Sequence, residues 1–210
     1  MIYNKYIEED LRECLTLITS DWETQSNYLD RDTNFIYQAK SLDECLSMIK
    51  EKNANQQYAL HRWYNYMTSI KCEYLFCEFG AIHEKDIYNH DTDIYIDNIP
   101  YDVKLTVYPK RLYYKPYDLT TRSGKNKMIQ WYYTNQSQQG RKQLLNRLYV
   151  VCDGNTPQEC LKMKCDFPLL RKRIGSFMHH YNGITPNSLM VIDNNREYLV
   201  YSDIIYISYD

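Results

Sequence analysis

No long apolar run occurs in this sequence. Nowhere in its 210 residues does a stretch approach the ~18 apolar residues that a membrane-crossing helix needs. The opening segment, MIYNKYIEEDLREC, has no apolar core behind its first charges of the kind that a secretory signal requires. These absences give the expectation of a soluble, cytoplasmic chain with no membrane partner. The seven cysteines are odd in number and include no Cys-x-x-Cys pair, which argues against a zinc site or a disulfide framework and for reduced, buried thiols. His83, His90, His179 and His180 have no partners at recognisable metal-ligand spacing, so they read as ordinary surface or core histidines.

Strong charge of one sign is missing as well. The net charge is −2, but residues 1–100 hold 9 Lys/Arg against 18 Asp/Glu (−9), whereas residues 101–210 hold 16 against 9 (+7). That asymmetry suits a chain with one basic face for a polyanion. Length allows one substantial core with room for a small appended subdomain, and excludes two domains of ordinary size.

Periodicity gives the elements. Ile7, Leu11, Cys14, Leu15 and Ile18 recur at helical spacing, predicting a helix over 5–20, followed by a polar loop over 21–32 and a short extended piece over 35–37. Ser41 and Glu44 form a capping box for a helix over 42–52. The longest helix is predicted over 56–79, with Leu60, Trp63, Tyr64, Met67, Ile70, Tyr74 and Cys77 on one face and Gly80 ending it. Alternating residues over 92–97 and 101–108 read as a hairpin turning at Asn98, Ile99 and Pro100.

The segment 109–127 is basic and aromatic and reads as a surface loop, in which Ser123-Gly124 marks the turn. A Gln-rich stretch then runs into a short helix ending near Asn146. A buried strand over 148–152, helices starting at Thr156 and Asp166, and two closing strands over 189–193 and 198–208 complete the pattern. Helices alternating with strands give an α/β fold: an α/β/α core with a central mixed sheet over 56–210, preceded by an N-terminal helical addition over 1–55.

The hairpin carries the chemistry. With Ile96 opposite Tyr101, Asp93 faces Lys104 and Tyr95 faces Asp102, so Asp93, Asp102 and Lys104 share one face while Ile94, Ile96, Tyr101, Val103 and Leu105 share the other. Unpaired buried charge costs several kcal/mol, and a divalent cation would offset it. Two carboxylates and a backbone carbonyl such as that of Val103 form the hard oxygen site that Mg²⁺ prefers, with Mn²⁺ able to substitute. Such an ion makes bound water easier to deprotonate, and Lys104 could hold that water and compensate charge on a phosphate. A cross-strand ion pair on a solvated face is the plain alternative.

The string TD-IYIDNIPY-DVK resembles the signature of the PD-(D/E)XK nuclease superfamily, with Thr92-Asp93 in place of the PD element and Asp102-Val103-Lys104 as the (D/E)XK element. The resemblance implies the restriction-endonuclease-like fold and Mg²⁺-dependent phosphodiester hydrolysis. It also implies an acidic residue on the preceding helix, either Glu73 or Glu78. Glu73 is preferred, because it stands one turn from both Ile70 and Cys77 on the core-facing stripe. The ordered set of long helix, Gly break, Asp-bearing strand, turn and Asp-x-Lys strand carries the weight, since Asp-x-Lys alone is common. The resemblance covers roughly residues 60–110, and reaches about 152 if the next helix and strand complete the core.

Arg122, Lys125 and Lys127 then read as phosphate contacts from a loop beside the site, with nearby tyrosines able to stack on bases. By resemblance, Gln139, Arg141 and Gln143 on the helix after the lysine strand would face substrate. The reading is a DNA endonuclease of restriction or defence type, with a homodimer allowed. A repair or RNA-processing nuclease is the alternative within the enzyme class. A catalytically silent nucleic-acid-binding protein of the same fold is the alternative outside it.

Overall fold

A computed structural model describes residues 7–19, 26–86, 88–135, 145–184, 186–191 and 196–209. Gln139, Arg141 and Gln143 lie outside these residues, as does the closing turn at Asn194-Asn195. The chain divides into two compact units, 1–71 and 72–210, with the boundary inside the longest helix.

The first unit is helical among its described residues: α1 (Ile7–Leu17), α2 (Asn27–Asp32), a 3-10 turn over Asn34–Tyr37, α3 (Leu42–Lys52) and most of α4 (Gln56–Cys77). Two expectations are corrected here. Residues 27–32 are helical because the Ser26 hydroxyl accepts from Leu29 N–H, and residues 34–37 wind as a 3-10 turn that buries Phe35 and Ile36. A lone apolar triplet has no neighbouring strand to hold it extended. Half of the capping box appears: Ser41 Oγ accepts from Glu44 N–H at 3.2 Å, but the Glu44 carboxylate reaches back to Lys40 N–H at 2.7 Å and not to that of Ser41. Trp63 is fully buried and donates its indole N–H to the Ala39 carbonyl at 3.0 Å.

The second unit is built on a six-stranded sheet in the order β1-β2-β3-β4-β6-β5. Its strands are β1 (Ile82–His83), β2 (Ile94–Ile96), β3 (Ile99–Val107), β4 (Arg147–Cys152), β5 (Pro186–Val191) and β6 (Arg196–Ile207). β3, β4 and β6 pair in parallel, while β1, β2 and β5 join antiparallel at the edges. Every residue of β4 is buried, as expected of a central parallel strand covered on both faces. Helix α5 (Arg122–Asn135) makes the crossover from β3 to β4. Its Met128, Ile129 and Tyr132 pack with Tyr149, Val151 and Ile204 of the sheet. Cys152, of opposite parity on β4, instead has Cys160, Lys164 and Cys165 around it, so α6 (Pro157–Met163) and the turn after it cover the other face. Helix α7 (Phe167–His179) follows, capped by Asp166, and Tyr181 just beyond it hydrogen-bonds the Tyr101 hydroxyl at 3.0 Å. Helices lie on both faces of a mixed sheet, which is the α/β class expected.

The hairpin turns one step earlier than its sequence suggested. Asp97 and Asn98 both adopt positive φ (50° and 65°), forming a two-residue turn of the I′ kind, whose twist matches that of the strands. The pairs are therefore Ile96↔Ile99, Tyr95↔Pro100 and Ile94↔Tyr101, not Ile96 with Tyr101. A shift by an even number of residues leaves each side chain on its face. Asp93 consequently comes to Asp102 rather than to Lys104.

The basic segment is also corrected. Arg122, Lys125 and Lys127 belong to the first turns of α5 and not to a loop. The Thr121 hydroxyl accepts from Gly124 N–H at 3.1 Å and so opens the helix. Gly124 is there for close approach: a Cβ would stand 1.8 Å from the Asp118 carbonyl oxygen. We predict that Gly124→Ala lowers stability by about 3 kcal/mol, since the clash is with backbone that cannot turn aside. Urea unfolding of the variant with an unchanged midpoint would show that the 118–121 turn yields freely.

Candidate active site

Three elements bring the expected side chains together. Asp93 precedes β2, Asp102 and Lys104 alternate along β3, and Glu73 stands near the end of α4. β2 stops after three residues whereas β3 runs on, so the β3 edge beyond Asp102 has no strand beside it on that side. Asp93 takes up the vacancy with its side chain: Oδ2 accepts from Val103 N–H at 2.7 Å, while its own N–H donates to the Tyr101 carbonyl at 2.9 Å. In a strand, a residue's N–H and carbonyl point to the same edge. The Val103 carbonyl therefore opens toward Asp93.

Asp102 is only 3% exposed. Its Oδ1 meets the Lys104 ammonium, and its Oδ2 accepts from Arg147 Nε at 2.9 Å. Asp93 lies close enough to Asp102 for their carboxyl groups to share a hydrogen bond. Burial, and then the neighbouring Asp102, push the Asp93 carboxyl up to about 6.

Glu73 is the helix acid that faces this group. Burial and the charge of Asp93 push its carboxyl up to about 7, and its Oε2 lies 3.0 Å from Nε2 of His83. The other nitrogen, Nδ1, lies 2.7 Å from the Glu84 carbonyl. A carbonyl can only accept, so Nδ1 carries a proton; the Glu73–His83 contact then holds a second proton between carboxyl and ring. The ring also stacks on Tyr74 at 4.7 Å. Glu78, the other candidate, pairs instead with Arg171 of α7.

Glu84 shapes the approach to Asp93. Its carboxylate accepts from the N–H groups of Lys85 and Asp86, from the Asn89 amide and from the Tyr95 hydroxyl. These bonds hold its carboxyl down at about 2. Its backbone N–H donates to the Asp93 carbonyl at 2.9 Å, which fixes the residue before β2.

Two members of the group carry no sequence signal. His83 follows no spacing rule. Arg147 reaches Asp102 only because β3 and β4 run parallel with Asp102 beside Arg147, a register that no local pattern encodes. The expected nucleic-acid contacts are partly committed elsewhere. Arg122 Nη1 pairs with Asp203 at 3.0 Å and Lys125 Nζ lies 3.9 Å from the same carboxylate, while Lys127 is exposed.

In chemical kind the donor set fits a hard divalent cation: two adjacent carboxylates, a third on α4, and the Val103 carbonyl. In arrangement the present contacts are those of a self-neutralised cluster, and among the described residues no three His, Cys, Asp or Glu side chains are set as a metal site. Comparison with family models, curated proteins and solved structures returns no match to this chain.

The raised carboxyls have a consequence for stability. The folded chain keeps the Glu73 proton up to about 7, while the unfolded chain loses it near 4.5. The protonated group thus costs nothing at low pH, and stability is lost as pH rises between those values. Glutamine mimics the protonated form at every pH. We predict that the stability of Glu73→Gln relative to the natural chain increases by up to roughly 2 kcal/mol between pH 4.5 and 7.5 without divalent cations. Urea midpoints that track each other across this range would contradict the burial of a proton at Glu73.

Proposed function

We propose that this chain is a metal-dependent nuclease that hydrolyses phosphodiester bonds, with DNA as substrate and a restriction or defence role. The observation that carries the reading is the meeting of Asp93 and Asp102 at the start of β2, with Lys104 on the same carboxylate and Glu73 facing them. This is the grouping expected from the resemblance to PD-(D/E)XK nucleases. A structural ion pair needs one carboxylate and one cation. Three acids gathered on a buried sheet edge, two of them with raised carboxyls, are costly to fold and accord better with a functional centre.

On this reading Asp93, Asp102, the Val103 carbonyl and Glu73 hold Mg²⁺ or Mn²⁺. The ion supplies Lewis acidity and a water that ionises near neutral pH. Lys104, with its side chain 42% exposed, reaches solvent and can orient that water while offsetting charge on the phosphate. If Glu73 ionises to hold the ion, the proton it shares with His83 stays on Nε2 of the ring. Lys127, and the positive ends of Arg122 and Lys125, offer phosphate contacts at one rim. Restriction or defence, rather than repair or RNA processing, rests on fold-level analogy.

One observation favours a second reading. Asp102 already has a cation on each oxygen, so the cluster is self-sufficient without a metal, as in a protein that binds nucleic acid and cuts nothing. Cleavage of duplex, single-stranded and branched DNA and of RNA, with Mg²⁺ or Mn²⁺, separates the two. We predict cleavage by the natural chain and a loss on the order of 10²–10⁴-fold for Lys104→Ala, whose exposed side chain leaves folding intact. Binding without cleavage under any divalent cation would favour the silent protein, and full activity in the variant would remove Lys104 from the chemistry.

A further inference from the structure

The partners of Asp102 differ in their freedom to leave it. Lys104 has its side chain 42% exposed, on a flexible stem. Arg147 has its side chain 10% exposed, and it stands on the strand between β3 and β6. Its guanidinium lies over the Tyr133 ring, 5.4 Å from the centroid. The Tyr133 hydroxyl is anchored in turn, by the Leu145 carbonyl and by Ser202 Oγ at 2.7 Å, and the same Ser202 Oγ accepts from Arg147 N–H at 3.3 Å. A planar fork fixed on an aromatic face keeps one geometry, whereas an exposed ammonium does not.

We infer that Arg147 is the positioning residue of this site: it holds one oxygen of Asp102 permanently, so that Lys104 can release the other to an arriving divalent cation. This rests on reading the Asp93–Asp102 pair as a cation site. If Lys104 were the only counter-charge, its departure would leave a buried carboxylate unbalanced and free to turn on its χ angles. With Arg147 in place the carboxylate stays satisfied and aimed, and only its outer oxygen changes partner. Arg147 touches neither substrate nor cation in this account. It acts through Asp102, as the outer partners of metal ligands do.

The two cations make opposite predictions, although each carries one positive charge beside the same carboxylate. Tb³⁺ luminescence sensitised by the protein's tyrosines, with Mg²⁺ as competitor, reads cation affinity without any need for turnover. Lys104→Met is expected to tighten Tb³⁺ binding by about tenfold, because it frees an oxygen and removes a competing charge. Arg147→Met is expected to weaken it by about tenfold or more, because Asp102 loses its aim. Arg147→Lys keeps the charge but loses the fork, and is expected to weaken Tb³⁺ binding too; it decides the matter if Arg147→Met does not fold. Electrostatic field alone would make both methionine variants bind more tightly and leave Arg147→Lys unchanged. That result, in a natural chain that cleaves nucleic acid, overturns the assignment of Arg147 and leaves the nuclease reading standing. No Tb³⁺ binding by the natural chain or Lys104→Met, together with no cleavage, overturns the cation site itself.

Discussion

A carboxylate that is 3% exposed must be neutralised where it stands, and Asp102 sets that requirement for the whole second unit. Stripping a buried carboxylate of all its counter-charge costs on the order of 3–5 kcal/mol, because the charge left behind has nowhere to go. The fold meets the requirement from two directions. Within β3, the alternation of a strand puts Lys104 on the same face as Asp102. Across the parallel pairing, β4 brings Arg147 beside it. That pairing depends on the α5 crossover, which depends on a glycine where the chain passes against the Asp118 carbonyl. The electrostatics of one side chain thus ties together a hairpin, a crossover helix and a central strand.

Asp93 and Glu73 extend the same problem without completing its solution. Asp93 has a backbone N–H, and Glu73 has His83. Burial first, and then a neighbouring carboxylate, push both carboxyls up, and Lys104 nearby offsets this only in part. Free energy is stored in these acids, and a divalent cation is the partner whose charge and hard-oxygen preference would recover it.

Much of this site was legible in the sequence because it is local. A hairpin places residues by alternation and turn length alone, so Asp93, Asp102 and Lys104 still come together despite an error in the turn. The error itself has a plain cause: Asn98-Ile99-Pro100 looks like a turn because it contains proline, yet Asp97 and Asn98 tolerate the positive φ that a tight hairpin demands. The choice of Glu73 over Glu78 followed from helix periodicity in the same local way. What the sequence left dark is what depends on pairing between distant segments. Arg147 is 45 residues from Asp102 and was visible only as one more positive charge. The start of α5 within the basic segment was hidden because Ser123-Gly124 has the composition of a loop, and only the closeness of Asp118 explains the glycine.

If Asp93 and Asp102 hold a divalent cation, Lys104 must withdraw from Asp102 when the ion arrives. Crystals grown with Mn²⁺ and measured at its absorption edge test it most directly. The expected result is an anomalous peak beside the Asp93 and Asp102 carboxylates and the Val103 carbonyl, with Lys104 turned away and Arg147 still on Asp102. No peak there, with Lys104 remaining on Asp102 at saturating Mn²⁺, would contradict it.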